Sequence, residues 1–296
     1  MEQKRIFALG FFEGCHLGHQ EILGKCVDLA RELDCETAAV TFDRHPQSLY
    51  CQTPPKTLTT LQGRKIDFRH ALMDDVIVLS VTPEVMSTPW EIFLERLVER
   101  GAAGFVCGED FRFGYRGEGD ADKLRRFCAE RDMPFYIVLE QQKDGIRISS
   151  THIRKLVEAG EMEEARRFLG HPHWLVGPVV RGRQLGHTLG FPTANIEIPE
   201  DVVCPRRGVY ASVACVDDQL PNYWAVTNIG SRPTVQGHQV RAECWLLDFD
   251  GDLYGRQLEI ALYSFLRPEQ RFESLEELKA AVMADGENTR KFFLKR

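Results

Sequence analysis

What the 296-residue sequence lacks narrows its class first. No C-x-x-C pair occurs among its nine cysteines (Cys15, Cys26, Cys35, Cys51, Cys107, Cys128, Cys204, Cys215 and Cys244), and the count is odd. A zinc ribbon and a disulfide framework are therefore poor fits, and reduced thiols in a cytosol fit better. No run approaches the roughly 18 apolar residues of a membrane-spanning helix. The apolar stretch near the N-terminus is too short and too soon interrupted for a signal peptide. A basic excess is missing as well: 37 Lys and Arg stand against 44 Asp and Glu, a formal net charge of −7, which argues against a general nucleic-acid binder. Internal repeats and low-complexity segments are absent too. The expectation is a soluble cytoplasmic protein without nucleic-acid or membrane partners.

What is present divides into two textures. Up to about residue 170, strand-like runs ("RIFALGF", "ETAAVTF", "DVIVLSV", "GFVCGED", "PFYIVLE") alternate with segments of helical spacing. One of these, "STPWEIFLERLVERG", has Thr88 three before Glu91, a capping-box pattern, with Pro89 at the first helical position. It should bury Trp90, Phe93, Leu94, Leu97 and Val98. Strands separated by helices of this length make βαβ units, hence a doubly wound parallel sheet. "SSTHIRKLVEAGEMEEARRFLG" reads as a helical connector. After it, "HPHWLVGPVVRG", "GVYASVACV", "YWAVTNIG", "VRAECWLLDF" and "LYGRQLEIALYSFL" are strand-like, with turn signals such as "VDDQ" and "FDGD" between them. That spacing suggests an antiparallel barrel or sandwich. A terminal helix closes the chain, with Ser274 and Glu277 as its capping box. The expected domains are 1–170, connector included, and 171–296.

Several constellations carry chemistry, each with a plainer alternative. "GFFEGCHLGHQ", residues 10–20, follows the first strand and holds Gly10, Gly14, Gly18, His16 and His19. Glycines let backbone N–H groups approach a phosphate, and the following helix offers the positive end of its dipole. Two imidazoles at that helix start can bond nucleotide phosphates; alternatively this is a strand–turn–helix corner with incidental histidines. "ISSTHIR", residues 148–154, sets Ser149, Ser150 and Thr151 before Arg154, either to cap a helix or to complete a nucleotide site. "GEDFRFGYRGEGD" brings Asp110, Phe111 and Arg112 onto a glycine-bearing loop suited to a planar ring and a phosphate, or merely to the surface. His45, in "TFDRHP", lies at the end of the second strand, on the same edge as the histidine pair. In "GHTLGFPTANI", Gly190 and Pro192 mark a tight turn before Thr193 and Asn195, whose oxygens suit a hard cation, unless the segment is a simple barrel connection. Glu243 sits in an otherwise apolar strand, where a carboxylate needs partners or a task, or else faces solvent.

In this order the motifs H-x-G-H, "DFRFG", "SST..R", "G.LGFPTANI", "GVYA", "NIG.RPT", "LLDF.GDLYG" and "LR.E.RF.S.EEL" span nearly the whole chain. The sequence resembles the bifunctional prokaryotic riboflavin kinase/FAD synthetase family. The resemblance implies an N-terminal Rossmann-like adenylyltransferase and a C-terminal six-stranded riboflavin kinase barrel with a terminal helix. Their substrates are riboflavin, FMN and ATP, and Mg²⁺ is the cofactor; a monomer or weak homo-oligomer is expected. It also implies that His16, His19, Ser149, Ser150, Thr151 and Arg154 handle ATP, with Gly10, Gly14, Gly18 and His45 beside them. Asp110, Phe111 and Arg112 would lie near the flavin. In the second half Thr193 and Asn195 would hold Mg²⁺–ATP, Gly186, Gly190 and Arg232 would bind substrate, and Glu243 would activate the riboflavin 5′-hydroxyl.

The sequence departs from the family at Phe11 and Glu13, where Asn and Asp are usual, and at Arg44, where Pro is usual. It departs again at His187 for Arg and Trp245 for His. A kinase with a degenerate first domain, and a non-catalytic flavin sensor, are the alternatives these departures leave.

Overall fold

In the computed structural model, residues 4–182, 189–234 and 237–295 are described; of 220, 221, 232–234, 237 and 238 only the backbone is. The chain forms two compact units, Met1–Thr57 with Arg64–Ser150, and Leu58–Gly63 with Thr151–Arg296.

The first unit alternates strand and helix: β1 (Arg5–Leu9), α1 (Leu17–Glu32), β2 (Glu36–Phe42), α2 (Leu61–His70), β3 (Asp75–Leu79), the single turn α3 (Pro83–Met86), α4 (Trp90–Glu99), β4 (Ala102–Gly108), α5 (Ala121–Ala129) and β5 (Phe135–Val138). The five strands are parallel in the order β3-β2-β1-β4-β5. Because strand side chains alternate, β1 feeds two cores. Ile6 and Ala8 pack with Ile22, Leu23, Cys26 and Ala30 of α1, whereas Phe7 and Leu9 pack with Leu94 and Leu97 of α4 and Leu124 and Phe127 of α5. Helices thus cover both faces, the doubly wound arrangement expected. A two-stranded hairpin, β6 (Gln142–Lys143) and β7 (Ile146–Arg147), follows.

The second unit carries α6 (Ser150–Ala159, from Thr151 onward) and α7 (Met162–Leu169). A six-stranded antiparallel sheet follows: β8 (His173–Pro178), β9 (Ala194–Glu197), β10 (Gly208–Val216), β11 (Gln219–Thr234), β12 (Gly237–Leu246) and β13 (Gln257–Arg267). Its order is β8-β13-β10-β11-β12-β9, and a bridge between Val180 and Asn195 links the two ends into a nearly closed barrel. Asp217 and Asp218, both at positive φ, join β10 to β11 as the two-residue hairpin that "VDDQ" implies. The terminal helix α8 (Leu275–Leu294) is capped by Ser274, whose side chain accepts from the Glu277 N–H at 3.2 Å.

Two local expectations are corrected. The connector is two helices, because Gly160 takes φ +80° between α6 and α7 and ends the first. The capping box at Thr88 does not form: α4 starts at Trp90, and Thr88 Oγ1 instead bonds the Glu84 carbonyl and accepts from Arg96. Of that helix's expected core, Leu94 and Leu97 are buried while Trp90, Phe93 and Val98 are only half-buried.

Candidate active sites

In the first unit the loop from β1 to α1 turns sharply. Phe12 (φ 58°), Gly14 (φ 66°) and Cys15 (φ 37°) all adopt the left-handed region, which costs non-glycine residues of order 1–3 kcal/mol each. The turn delivers His16 to the N-cap of α1, where its Nδ1 accepts from the His19 N–H at 3.3 Å. The two imidazoles stack with centroids 3.6 Å apart and planes 13° from parallel. A Cβ at Gly18 would lie in ordinary van der Waals contact with the His16 ring, at 3.4 Å, so space alone does not require this glycine. Gly10 is the constrained one, since a Cβ there would meet the Phe12 ring at 2.8 Å. Burial, then the neighbouring His16, then the Arg64 charge hold the pKa of His19 well below the usual imidazole range, so His19 is neutral at pH 7. Its Nδ1 has no hydrogen-bond partner among the described residues.

Phe11, where the family usually has Asn, packs edge-on to His45 at 5.2 Å and lies under the Arg64 guanidinium at 4.5 Å. His45 caps the short turn Pro46–Leu49 by accepting from the Gln47 N–H at 3.2 Å. Asp110 pairs with Arg147 at 2.9 Å and Arg112 with Asp120 at 3.2 Å, both exposed. Phe111 stacks on Phe113 at 5.8 Å. Ser149 and Ser150 end the first unit, whereas Thr151 and Arg154 begin the second, on α6. Sequence reasoning missed Arg64: it is fully buried on α2, a segment whose charged residues obscure any helical period.

In the barrel, register sets the site. Glu243 on β12 stands opposite Asn195 on β9 and Asn228 on β11, so three polar side chains share one face of adjacent strands. After the turn expected at Gly190 and Pro192, β9 begins at Ala194, and its ladder with β12 sets Asn195 opposite Glu243. Asn195 is 4% exposed and its Oδ1 has no hydrogen-bond partner among the described residues, while its Nδ2 donates to the Thr193 carbonyl at 3.4 Å. Gly182 lies against it, where a Cβ would meet the amide at 2.5 Å. Glu243 is exposed, so the penalty expected for a carboxylate in an apolar strand does not arise.

Two cavities adjoin this ladder. One, of about 280 Å³, is lined by Glu243, Asn228, Trp245, Phe191 and Phe272, among others. The second, of about 440 Å³, is lined by Pro192, Leu246, Phe249, Asp250 and Tyr254, among others. Among the described residues, Thr193 is the one common to both linings. Gly190, at φ +89°, makes the turn that precedes it. Gly186 and His187 lie outside the described residues, and Arg232 is described only as backbone in β11. No group of three His, Cys, Asp or Glu able to hold a metal occurs among the described residues. Among the described residues, Thr and Asn oxygens are the groups at this site suited to a hard cation, and the Asn195 Oδ1, without a partner among them, fits that role.

With this geometry in place, the family models match along both halves: FAD synthetase over residues 1–152 and riboflavin kinase over residues 169–293. The chain belongs to the bifunctional riboflavin kinase/FMN adenylyltransferase family. A bifunctional riboflavin kinase/FMN adenylyltransferase of Listeria monocytogenes is 35% identical over 98% of this chain and 93% of its own length. That of Escherichia coli K12 is 35% identical over 97% and 92%. A crystal structure described as a macrolide-efflux protein from Streptococcus pneumoniae superposes at a TM-score of 0.82, with 27% identity and coverage of 98% and 95%. Among the described residues of this family member, no helix is long and apolar enough to cross a membrane.

Proposed function

We propose that this chain makes FMN from riboflavin and ATP in the barrel, and FAD from FMN and ATP in the N-terminal half. The observation that carries the kinase reading is the ladder Asn195–Glu243–Asn228 beside two cavities that share Thr193. The smaller cavity, aromatic and open to Glu243, suits the flavin; the larger suits ATP. The Glu243 carboxylate takes the proton of the 5′-hydroxyl as its oxygen attacks the γ-phosphorus, and ADP leaves, an effect of roughly 10²–10⁴ in rate for the base. Thr193 and Asn195 supply protein oxygens to a divalent ion, Mg²⁺ in this proposal, which when bound neutralises phosphate charge.

The second reaction needs no base. An ionised phosphate oxygen of FMN attacks the α-phosphorus of ATP and pyrophosphate leaves, so the protein aligns the partners and neutralises charge. Neutral His19 and its stacked partner His16 are hydrogen-bonding groups at the N-terminus of α1, where the helix dipole favours phosphate. Gly10, Gly14, Gly18 and His45 frame the same loop. Ser149, Ser150, Thr151 and Arg154 are assigned to ATP, and Asp110, Phe111 and Arg112 to the flavin, on the family pattern alone. All nine cysteines are free thiols, which supports a cytoplasmic location, and we propose a monomer or weak homo-oligomer.

Purified variants given riboflavin, ATP and Mg²⁺, with flavins separated by chromatography, test the reading. Glu243→Gln is expected to abolish FMN formation and leave FMN-to-FAD conversion nearly intact; His16→Ala should do the opposite. A folded variant losing both steps equally would refute separate sites.

A further inference from the structure

Arg64 is a buried cation that the proposed chemistry has not used. It is 1% exposed, and it rises from α2 to the C-terminal ends of β1 and β2. Its Nη1 donates to the Phe11 carbonyl at 3.2 Å, to Thr41 Oγ1 at 2.9 Å and to the Phe42 carbonyl at 2.8 Å. Thr41 Oγ1 donates in turn to the same Phe11 carbonyl at 2.8 Å, so that oxygen is held from two sides. The guanidinium also covers the Phe11 ring. One side chain therefore fastens the first residues of the β1–α1 loop to the end of the neighbouring strand. Within five residues of that fastening the chain passes through Phe12, Gly14 and Cys15 at positive φ and reaches His16. A loop so bent does not keep its shape unless its ends are fixed.

We propose that Arg64 is a positioning residue for adenylyl transfer. It holds the loop so that the stacked His16–His19 pair faces the phosphates, and it does so without touching substrate. The inference rests on the reading that this loop is the adenylyl-transfer site. A planar guanidinium serves because three acceptors and an aromatic face must be met from one buried position; an ammonium meets only some of them. Misplacement of reacting groups by about 1 Å costs ~10²-fold in rate, which sets the expected size.

The test uses the full chain with Arg64→Met, Arg64→Lys and His16→Ala, measuring FMN adenylylation, riboflavin phosphorylation and thermal melting on each. For Arg64→Met the expected result is a roughly 100-fold lower kcat for FAD formation with KM for ATP little changed. Kinase turnover should stay within about twofold, and Arg64→Lys should recover about tenfold of the loss. Adenylylation within about twofold of the parent in Arg64→Met would overturn the proposal. So would a loss shared equally by both activities with a lowered melting temperature, or a loss that appears only in KM, or one that Lys does not relieve. If His16→Ala leaves FAD formation unchanged, the site assignment itself fails and the inference goes with it. If His16→Ala abolishes FAD formation while Arg64→Met does not, only the inference fails.

Discussion

Asn195 and Glu243 face each other across two strands, yet one is sealed from water and the other is open to it. The sealed amide keeps an oxygen without a partner among the described residues, a cost that a cation would relieve. The carboxylate lies open on the lining of the smaller cavity. His173 shows the opposite use of burial. It is 1% exposed on β8, its Nε2 has no partner among the described residues, and burial, helped by His171, pushes its pKa down to about 3. The unfolded chain binds a proton at this position below about pH 6.5, whereas the folded barrel does not until near pH 3. Stability from this residue is thus fully present above pH 6.5 and is lost as pH falls toward 3, at up to about 1.4 kcal/mol per pH unit. Urea unfolding at pH 7 and pH 5 should show that loss in the parent, and His173→Phe should flatten it.

At the scale of elements, most of the chain declares itself in its own pattern. The strand "ETAAVTF" and the strand "GVYASVACV" match Glu36–Phe42 and Gly208–Val216, because continuous apolar runs bounded by turns have no other comfortable state. What stayed hidden are elements whose reason is tertiary. The helix α2 buries Arg64 and Asp67 as well as Ile66 and Phe68, so buried charge and buried apolar residues alternate around the helix and no amphipathic stripe appears. Strand β9 is four residues long, and only the ladder with β12 reveals it. The histidine pair was visible as H-x-G-H, whereas its stacking follows a turn through left-handed residues that no spacing announces. The terminal helix is held to the barrel by a bidentate pair, Arg267 to Asp285 at 2.7 and 3.0 Å, with Asp285 nearly buried. Asp285→Asn should destabilise the chain by about 2 kcal/mol, below the cost of a fully buried break because Arg267 keeps some solvent. Denaturant titration measures it, and Arg267→Met in the same background should cost little more.

For the molecule as a whole, the proposal of one reaction in each half predicts that the intermediate FMN is free to leave. A mixture of Glu243→Gln and His16→Ala proteins, each unable to convert riboflavin to FAD, should together produce FAD, with a lag set by the FMN concentration. No FAD from the mixture, with each variant keeping its remaining activity, would mean that FMN is not exchanged. The division into halves was visible in the sequence as a change of texture near residue 170, and the family models break between residues 152 and 169. The contact boundary after Ser150 and the grouping of Leu58–Gly63 with the second unit were not visible, because a six-residue segment carries no pattern of its own.

Thr193, the residue common to both barrel cavities, has a consequence for how the kinase fills. Two rooms that share a stretch of wall feel any change in it together. A bulkier side chain at this position should therefore crowd both guests at once, which binding of flavin and of nucleotide to Thr193→Val and Thr193→Phe would measure.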